Sequence, residues 1–505
     1  MRLSPFLYLI VLLPAASPRA QTRPNIVFIY SDDLGYGDVG CYGATAVRTP
    51  NVDRLAAEGL RFTNGHSEAA TCTPSRFSFV TGLYSWRKKN TGIARGNAGL
   101  IIPEGTTTVA SVLTHAGYRT GIVGKWHLGL GGPDGPDWNG NVGPGPLELG
   151  FAYSYIIPAT LDRVPTVYVD GRRVAGLDPK DPLFVSYDHP VGDEPTGKDY
   201  PELLRYPASH GHDQTIVNGI GRIGYMAGGR SARWVDETVA QVLARKAVDF
   251  IAASRAGGEP FFLYYALTDI HVPHWPNRDF VNTSGLGLRG DAIVQMDWCV
   301  GQVLHALDSL GLADNTLVIF SSDNGPVVDD GYADGSVEHL GGHRPAGVLR
   351  GGKYSRFEGG TRVPFIVRWP GQVKPGVSDA LVCQIDFLRS FARLTGQPLG
   401  ATDGPDSFDV LDALLGRSST GRPYLPEDAD GPSVLRGRWK YIPPYPGGPL
   451  ISSVHIETGN LMQPQLYDLS NDLGERHNVA AEHPEVVREL DALLRAVTGP
   501  APPVK

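Results

Sequence analysis

Four cysteines in 505 residues are too few for a disulfide scaffold. Their positions, Cys41, Cys72, Cys299 and Cys383, form no closely spaced pair or Cys/His knuckle of the kind that holds zinc. Cys299 and Cys383 fall in apolar helical patterns and read as core residues. Basic runs are also missing. With 53 acidic against 45 basic residues the formal net charge is −8, and no stretch gathers enough lysine and arginine for a nucleic-acid partner. Long apolar runs are absent beyond the N-terminus, so the mature chain is expected to carry no membrane span. The one leading run, Phe6 to Leu13, follows Arg2 and gives way to small residues and prolines before Gln21. That is the pattern of a secretory signal over residues 1–20, cleaved near Ala20, and it predicts export to a periplasmic or extracellular location.

What the chain has in abundance is turn-formers, 63 glycines and 41 prolines, around alternating apolar segments. Short, wholly apolar runs read as strands at 25–30, 119–123, 260–265 and 316–320. Between them, helical spacing covers 52–58, 109–117, 239–253 and 293–307. Continuous apolar strands separated by amphipathic helices predict an α/β fold, a large, mostly parallel mixed sheet sandwiched by helices. Residues 130–235 break the rhythm and read as a long Gly/Pro/Asp-rich insertion. From about residue 422 to 505 the pattern becomes a small α+β domain, with strands over Ser433–Tyr441 and Gln465–Leu469 and a closing helix over Pro484–Val497. The catalytic domain is accordingly placed at 21–421.

Ligands of open α/β sheets bind beyond the carboxyl ends of the strands, and each strand here runs into unusual polar residues. Strand 25–30 leads to Asp32 and Asp33, strand 119–123 to Lys125 and His127, strand 260–265 to His271 and His274, and strand 316–320 to Asp323 and Asn324. Asp32, Asp33, Asp323 and Asn324 offer only oxygen ligands, which suits one hard divalent cation, Ca²⁺ first and Mg²⁺ second, and argues against zinc. Lys353 lies in a glycine-rich loop, Arg350–Arg362, where backbone can approach a ligand closely. Sites at strand ends are expected to lie at the surface.

The remaining signal is Thr71-Cys72-Thr73-Pro74-Ser75-Arg76, a cysteine at a helix start with an arginine four residues on. A helix N-terminus presents free N–H groups and partial positive charge to an anion. The C-x-P-x-R run resembles the signature of the formylglycine-dependent sulfatase family, of the alkaline phosphatase superfamily. Arg23–Asp38, Thr120–Gly129, Glu358–Pro364, and Leu466–Leu469 with Asn471-Asp472 resemble further landmarks of that family, so the likeness covers most of the chain.

The resemblance implies that Cys72 is oxidised to formylglycine by a formylglycine-generating or anaerobic sulfatase-maturating enzyme. The hydrated aldehyde, with Cys72 also a metal ligand, would attack sulfur in line. Lys125 and Lys353 would neutralise the sulfate, Arg76 would hold the diol, His271 would protonate the departing alcohol and His127 would assist the diol or its collapse. Ala159–Tyr168 and Gly211–Thr215 resemble relatives that act on glycosaminoglycan or mucin-type glycans, which implies a sulfated galactose or N-acetylgalactosamine, at O6. His274, Asp162, Arg163, His212, Asp213, His343 and Arg344 are the candidate sugar contacts. Two competing readings are a phosphate or phosphonate monoester hydrolase of the same superfamily and an inactive glycan-binding relative that keeps Cys72 as a thiol.

Overall fold

The computed structural model describes residues 23–499, so the segment read as an export signal lies outside the described residues. Ten strands form one sheet. Their order across it is Gly376–Ser378, Leu60–Phe62, Phe365–Arg368, Thr316–Ser322, Asn25–Ser31, Phe261–Ala266, Arg119–Lys125, Tyr153–Ile157, Val169–Asp170 and Arg173–Val174. The five strands from Thr316–Ser322 to Tyr153–Ile157 are mutually parallel. Phe365–Arg368 pairs antiparallel on one side, and the Val169–Asp170/Arg173–Val174 hairpin closes the other.

The period of two along each strand explains the sandwich. Ile26, Phe28 and Tyr30 point into one core with Phe262, Tyr264, Leu317 and Ile319. Val27 and Ile29 point into the other with Leu263, Tyr265, Val318 and Phe320. Both faces are therefore apolar and each needs helices. Pro50–Ala57, Val239–Gly257 and Gly287–Ser309 cover the second face, while Cys72–Thr81, Val109–His115 and Phe387–Thr395 cover the first. Burying side chains on this scale, at roughly 25 cal/mol per Å² of apolar surface, is what drives the layers together. Gly124 shows how tightly the strands close. At φ +109° it sits against the Ala266 carbonyl with no room for a Cβ.

Beyond the large sheet, Leu425–Asp428, Pro432–Arg436, Trp439–Ile442 and Gln465–Asp468 form a second, antiparallel sheet. Helix Pro484–Thr498 packs Leu490 and Leu494 onto its Val434, Tyr441 and Leu466. The fold is the expected one, with three local corrections. The single strand expected over 433–441 is two strands, because Gly437 takes φ +58° and turns the chain between Arg436 and Trp439. The 130–235 insertion supplies three strands of the large sheet, whose short runs lie hidden among glycines and prolines. Cys383 lies on the two-residue strand Val382–Cys383 and not on a helix, since its run is paired with Gly65–His66. All four cysteines are free. Among the described residues no helix is long and apolar enough to cross a membrane.

Candidate active site

The parallel register sets the carboxyl ends of four neighbouring strands side by side, so residues up to 291 positions apart meet. Asp32, Asp33, Asp323 and Asn324 are each at most 1% exposed. The Asp33 N–H donates to Asp323 Oδ1 at 3.3 Å, and the Asn324 amide donates to Asp33 Oδ1 at 2.7 Å. Asn324 Oδ1 is then left buried with no partner, a free acceptor within an all-oxygen cluster. Burial, with Asp323 and Asp33 as close neighbours, pushes the Asp32 carboxyl up to about 8 against the pull of Lys125. Crowded carboxylates and an unpaired amide oxygen are what a hard divalent cation satisfies, so the residues present fit one. Ligand atoms of Asp32, Asp33 and His271 also lie within 4.8 Å of one another, which adds an imidazole that the oxygen-only reading did not include.

Cations surround the cluster. Lys125 Nζ donates to both oxygens of Asp32 at 2.8 and 2.7 Å. Lys353 Nζ bridges Asp33 and Asp330, each at 2.8 Å. Arg76 donates through Nε to Asp323 at 2.9 Å and through Nη1 to the Tyr264 hydroxyl at 3.1 Å. Although burial opposes its charge, Asp33 and Asp330 hold the Lys353 ammonium well above its ordinary value, so it stays a cation.

Cys72 opens helix Cys72–Thr81, behind Thr71 in extended conformation, and Gly82 ends the helix in the left-handed region at φ +66°. All ten helical residues are buried, Cys72 among them at 1% exposure, so the site lies beneath the surface and not on it as strand-end position alone suggests. Burial raises the thiol above its ordinary value, so as a cysteine it is protonated. A cavity of about 40 Å³ opens beside it, lined by Asp162, Arg163, His212, His271, Asp330, Lys353 and Tyr354 among others.

His271 donates from Nδ1 to the Val272 carbonyl at 2.8 Å, which leaves Nε2 for the cavity, 3.8 Å from Asp33. Burial first and Lys353 second hold it well below the usual imidazole value. His127, at φ +58°, donates from Nε2 to the Ala94 carbonyl at 3.0 Å and keeps Nδ1 buried without a partner. Burial and Lys125 push it well down as well, so it is a neutral acceptor. Asp33 at +59° and Tyr354 at +71° share this left-handed strain, which costs about 1–3 kcal/mol per residue and clusters where function requires it.

Of the expected sugar contacts, Asp162, Arg163 and His212 line the cavity and bond one another, Arg163 Nη1 and His212 Nε2 both reaching Asp162 Oδ2 at 2.9 Å. Arg163 is the main influence that, against burial, holds the Asp162 carboxyl well below its ordinary range. The other four do not line it. His274 is turned to Asp334 at 2.6 Å, and the Asp213 carbonyl accepts from the Lys198 N–H at 2.8 Å. His343 pairs with Asp38 at 2.7 Å, and with Arg344 it borders a separate cavity near Val327 and Ile456. Sequence reasoning missed Asp330, Tyr354 and Tyr264. The first two could have been found by asking what anchors a lysine in a glycine-rich loop, whereas Tyr264 looks like any other strand residue.

An oxygen-donor cluster flanked by lysine, arginine and a helix N-terminus, at the carboxyl end of a mostly parallel sheet, defines a hydrolase of anionic esters with the alkaline phosphatase-like fold. The sulfatase profile matches residues 24–397. N-acetylgalactosamine-6-O-sulfatase of Bacteroides thetaiotaomicron is 51% identical, with 98% of each chain aligned. Human arylsulfatase A is 34% identical over 96% of this chain and 89% of its own. A solved chain described with the metabolism of multiple glycosaminoglycans by Bacteroides thetaiotaomicron superposes with a TM-score of 0.93 at 52% identity, covering 95% of this chain and all of that one. The chain belongs to the sulfatase family and is a sulfuric ester hydrolase.

Proposed function

We propose that the protein removes sulfate from an extracellular sulfated saccharide, galactose or N-acetylgalactosamine 6-sulfate. Cys72 is converted to formylglycine by a maturating enzyme, and Asp32, Asp33, Asp323, Asn324 and residue 72 hold one divalent cation, Ca²⁺ before Mg²⁺. The cation and the hydrated aldehyde together supply charge neutralisation and a nucleophile that an unmodified thiol does not provide. Residues 21–421 form the catalytic domain and 422–505 the smaller C-terminal domain. The leading residues direct export to the periplasm or beyond.

The observation that carries this reading is Cys72 at a helix N-terminus, sharing one small cavity with Lys353, His271 and Arg163. Lys353, held as a cation by Asp33 and Asp330, and Lys125, paired with Asp32, stabilise the sulfate charge as it spreads in the transition state. Arg76, locked by Asp323 and Tyr264, keeps the helix start and the aspartates in register. His271 Nε2 is the atom placed to pass a proton to the leaving oxygen, since the anionic ester favours the protonated ring. His127 Nδ1 is free to accept one. The similarity to N-acetylgalactosamine-6-O-sulfatase supports the choice of sugar and position.

Two measurements test it. Mass spectrometry of the peptide containing residue 72 should show a loss of about 18 Da, a change outside the ordinary thiol oxidation ladder. The matured protein should release sulfate from N-acetylgalactosamine 6-sulfate and from aryl sulfate faster than it releases phosphate from the matching aryl phosphate. Preference for phosphate would favour the phosphate or phosphonate hydrolase reading. An intact thiol in protein made alongside its maturating enzyme would favour the glycan-binding one.

A further inference from the structure

The four oxygen ligands sit on two separate loops, Asp32 and Asp33 after strand Asn25–Ser31, Asp323 and Asn324 after Thr316–Ser322. A cation that had to draw loose loops together would lose part of its binding energy in ordering them. Ties made by the ligand atoms themselves compete with the cation. A tie that helps it has to lie behind the ligands.

Helix Gly287–Ser309 supplies one. Arg289, in its first turn and 2% exposed, donates through Nη1 and Nη2 to the two oxygens of Asp38 at 2.9 and 2.7 Å. Through Nε it donates to the Val327 carbonyl at 3.3 Å. Asp38 belongs to the first loop, five residues past Asp33, and Val327 to the second, three past Asn324. Asp38 Oδ2 also accepts from the Gly35 N–H at 2.9 Å, which folds the first loop back on itself, and His343 Nε2 holds Oδ1 at 2.7 Å. All of these groups are buried. Burial raises the Asp38 carboxyl, yet Arg289 first and His343 after it hold the group below its ordinary range.

The guanidinium divides its three nitrogens between the two loops, and its planar fork fixes the distance from one to the other. Resting on the proposal that these ligands hold a divalent cation, we infer that Arg289 is a positioning residue. With Asp38 and His343 it clamps the two ligand loops at the spacing the cation requires, and so sets the cation's affinity.

The test is calorimetry of Ca²⁺ with the full-length protein stripped by chelator, alongside thermal unfolding of the stripped protein. Arg289→Lys keeps a cation for Asp38 but cannot span both loops. Ca²⁺ should then bind about tenfold more weakly, the usual scale for groups behind metal ligands, with the fold retained. His343→Ala removes one bond to Asp38 beside the cavity near Val327, where water can enter, and should weaken Ca²⁺ about threefold. It decides the matter if Arg289→Lys does not fold. Arg222→Lys is the control, since Arg222 is equally buried and pairs with Asp236 at 2.8 Å but bonds neither loop. Ca²⁺ affinity should not move in it. Unchanged affinity in Arg289→Lys and His343→Ala, or an equal loss in Arg222→Lys, would overturn the inference. If the wild type binds no Ca²⁺, the cation reading itself has failed, and hydrogen exchange still decides the clamp. Arg289→Lys should speed exchange in both 33–38 and 323–328, and a change in one loop alone or in neither would overturn it.

Discussion

Two buried clusters in this protein use nearly the same side chains for different ends. At the active site, Asp32, Asp33 and His271 bring ligand atoms together. At the seam with the C-terminal domain, His66, Glu358 and Glu427 do the same. The seam cluster is closed. Lys440 donates to Glu358 at 3.1 Å and also to Glu427, Arg362 reaches the other oxygen of Glu358 at 2.9 Å, and His66 holds Glu427 at 3.0 Å. It joins the Glu358–Thr361 turn to the strands Leu425–Asp428 and Trp439–Ile442, and none of its members lines a cavity next to Cys72. The active-site cluster is open. Asn324 Oδ1 and His127 Nδ1 lack partners, and a cavity lined by Cys72, His271 and Lys353 opens within the site. Charges that exhaust one another hold two domains together; charges with spare acceptors beside a cavity are available for chemistry.

Breaking each cluster should have opposite signatures. Cys72→Ala should cost about 10³-fold or more in sulfate release while the protein remains folded, because alanine keeps the helix start between Thr71 and Gly82. Kinetics and thermal unfolding check both halves, and loss of folded protein would show that residue 72 is structural. Next in size, chelation of divalent ions should slow turnover about 10²-fold, reversibly on adding Ca²⁺, in line with the several kcal/mol a Lewis acid contributes. Full activity in chelator would reassign the four oxygen ligands.

At the seam, Lys440→Met should cost about 3–5 kcal/mol of stability by leaving Glu358 and Glu427 buried without their shared cation. Denaturant unfolding measures this, and kcat below the transition should hold. A loss of kcat at unchanged stability would make the seam a second functional site.

The smallest effect expected is the seam's own share of the pH dependence of stability. Burial raises the Glu358 carboxyl, yet Lys440, His66 and Arg362 outweigh it and bring the group to about 2. A folded-state value below the unfolded one stabilises at pH above the unfolded value, near 4.5, and that stability disappears as pH falls toward 2. Glu475, raised chiefly by burial, stays protonated when folded and takes up its proton near 4.5 only when unfolded, so it offsets a small part of the loss between pH 5 and 4 and none below. Glu358 should therefore account for a loss of about 3 kcal/mol between pH 5 and 2, read as the difference in unfolding between the wild type and Glu358→Gln, whose titration is removed.

Much of the site was legible because its residues follow strands directly. Asp32, Asp33, Lys125, Asp323 and Asn324 each come within four residues of an apolar run that hydrophobic patterning reveals, and Cys72 and Arg76 share one short motif. The sugar contacts were harder. Asp162, Arg163 and His212 reach the cavity from the insertion, while Asp213, only one residue from His212, does not. His343 carries the same chemistry as His212 and yet pairs with Asp38, which Arg289 also holds. A loop's destination depends on what it packs against, and periodicity does not encode that.

The sequence by itself determined the two-faced apolar strands, the helix that begins at Cys72 and the acidic, oxygen-only ends of the central strands, since these follow from nearest-neighbour chemistry and a period of two or 3.6 residues. Only the tertiary structure decided which buried charges close on one another, which acceptors stay unpaired, and which loop residues line the small cavity beside Cys72. Pairing and desolvation are settled by groups hundreds of residues apart meeting where water has been excluded.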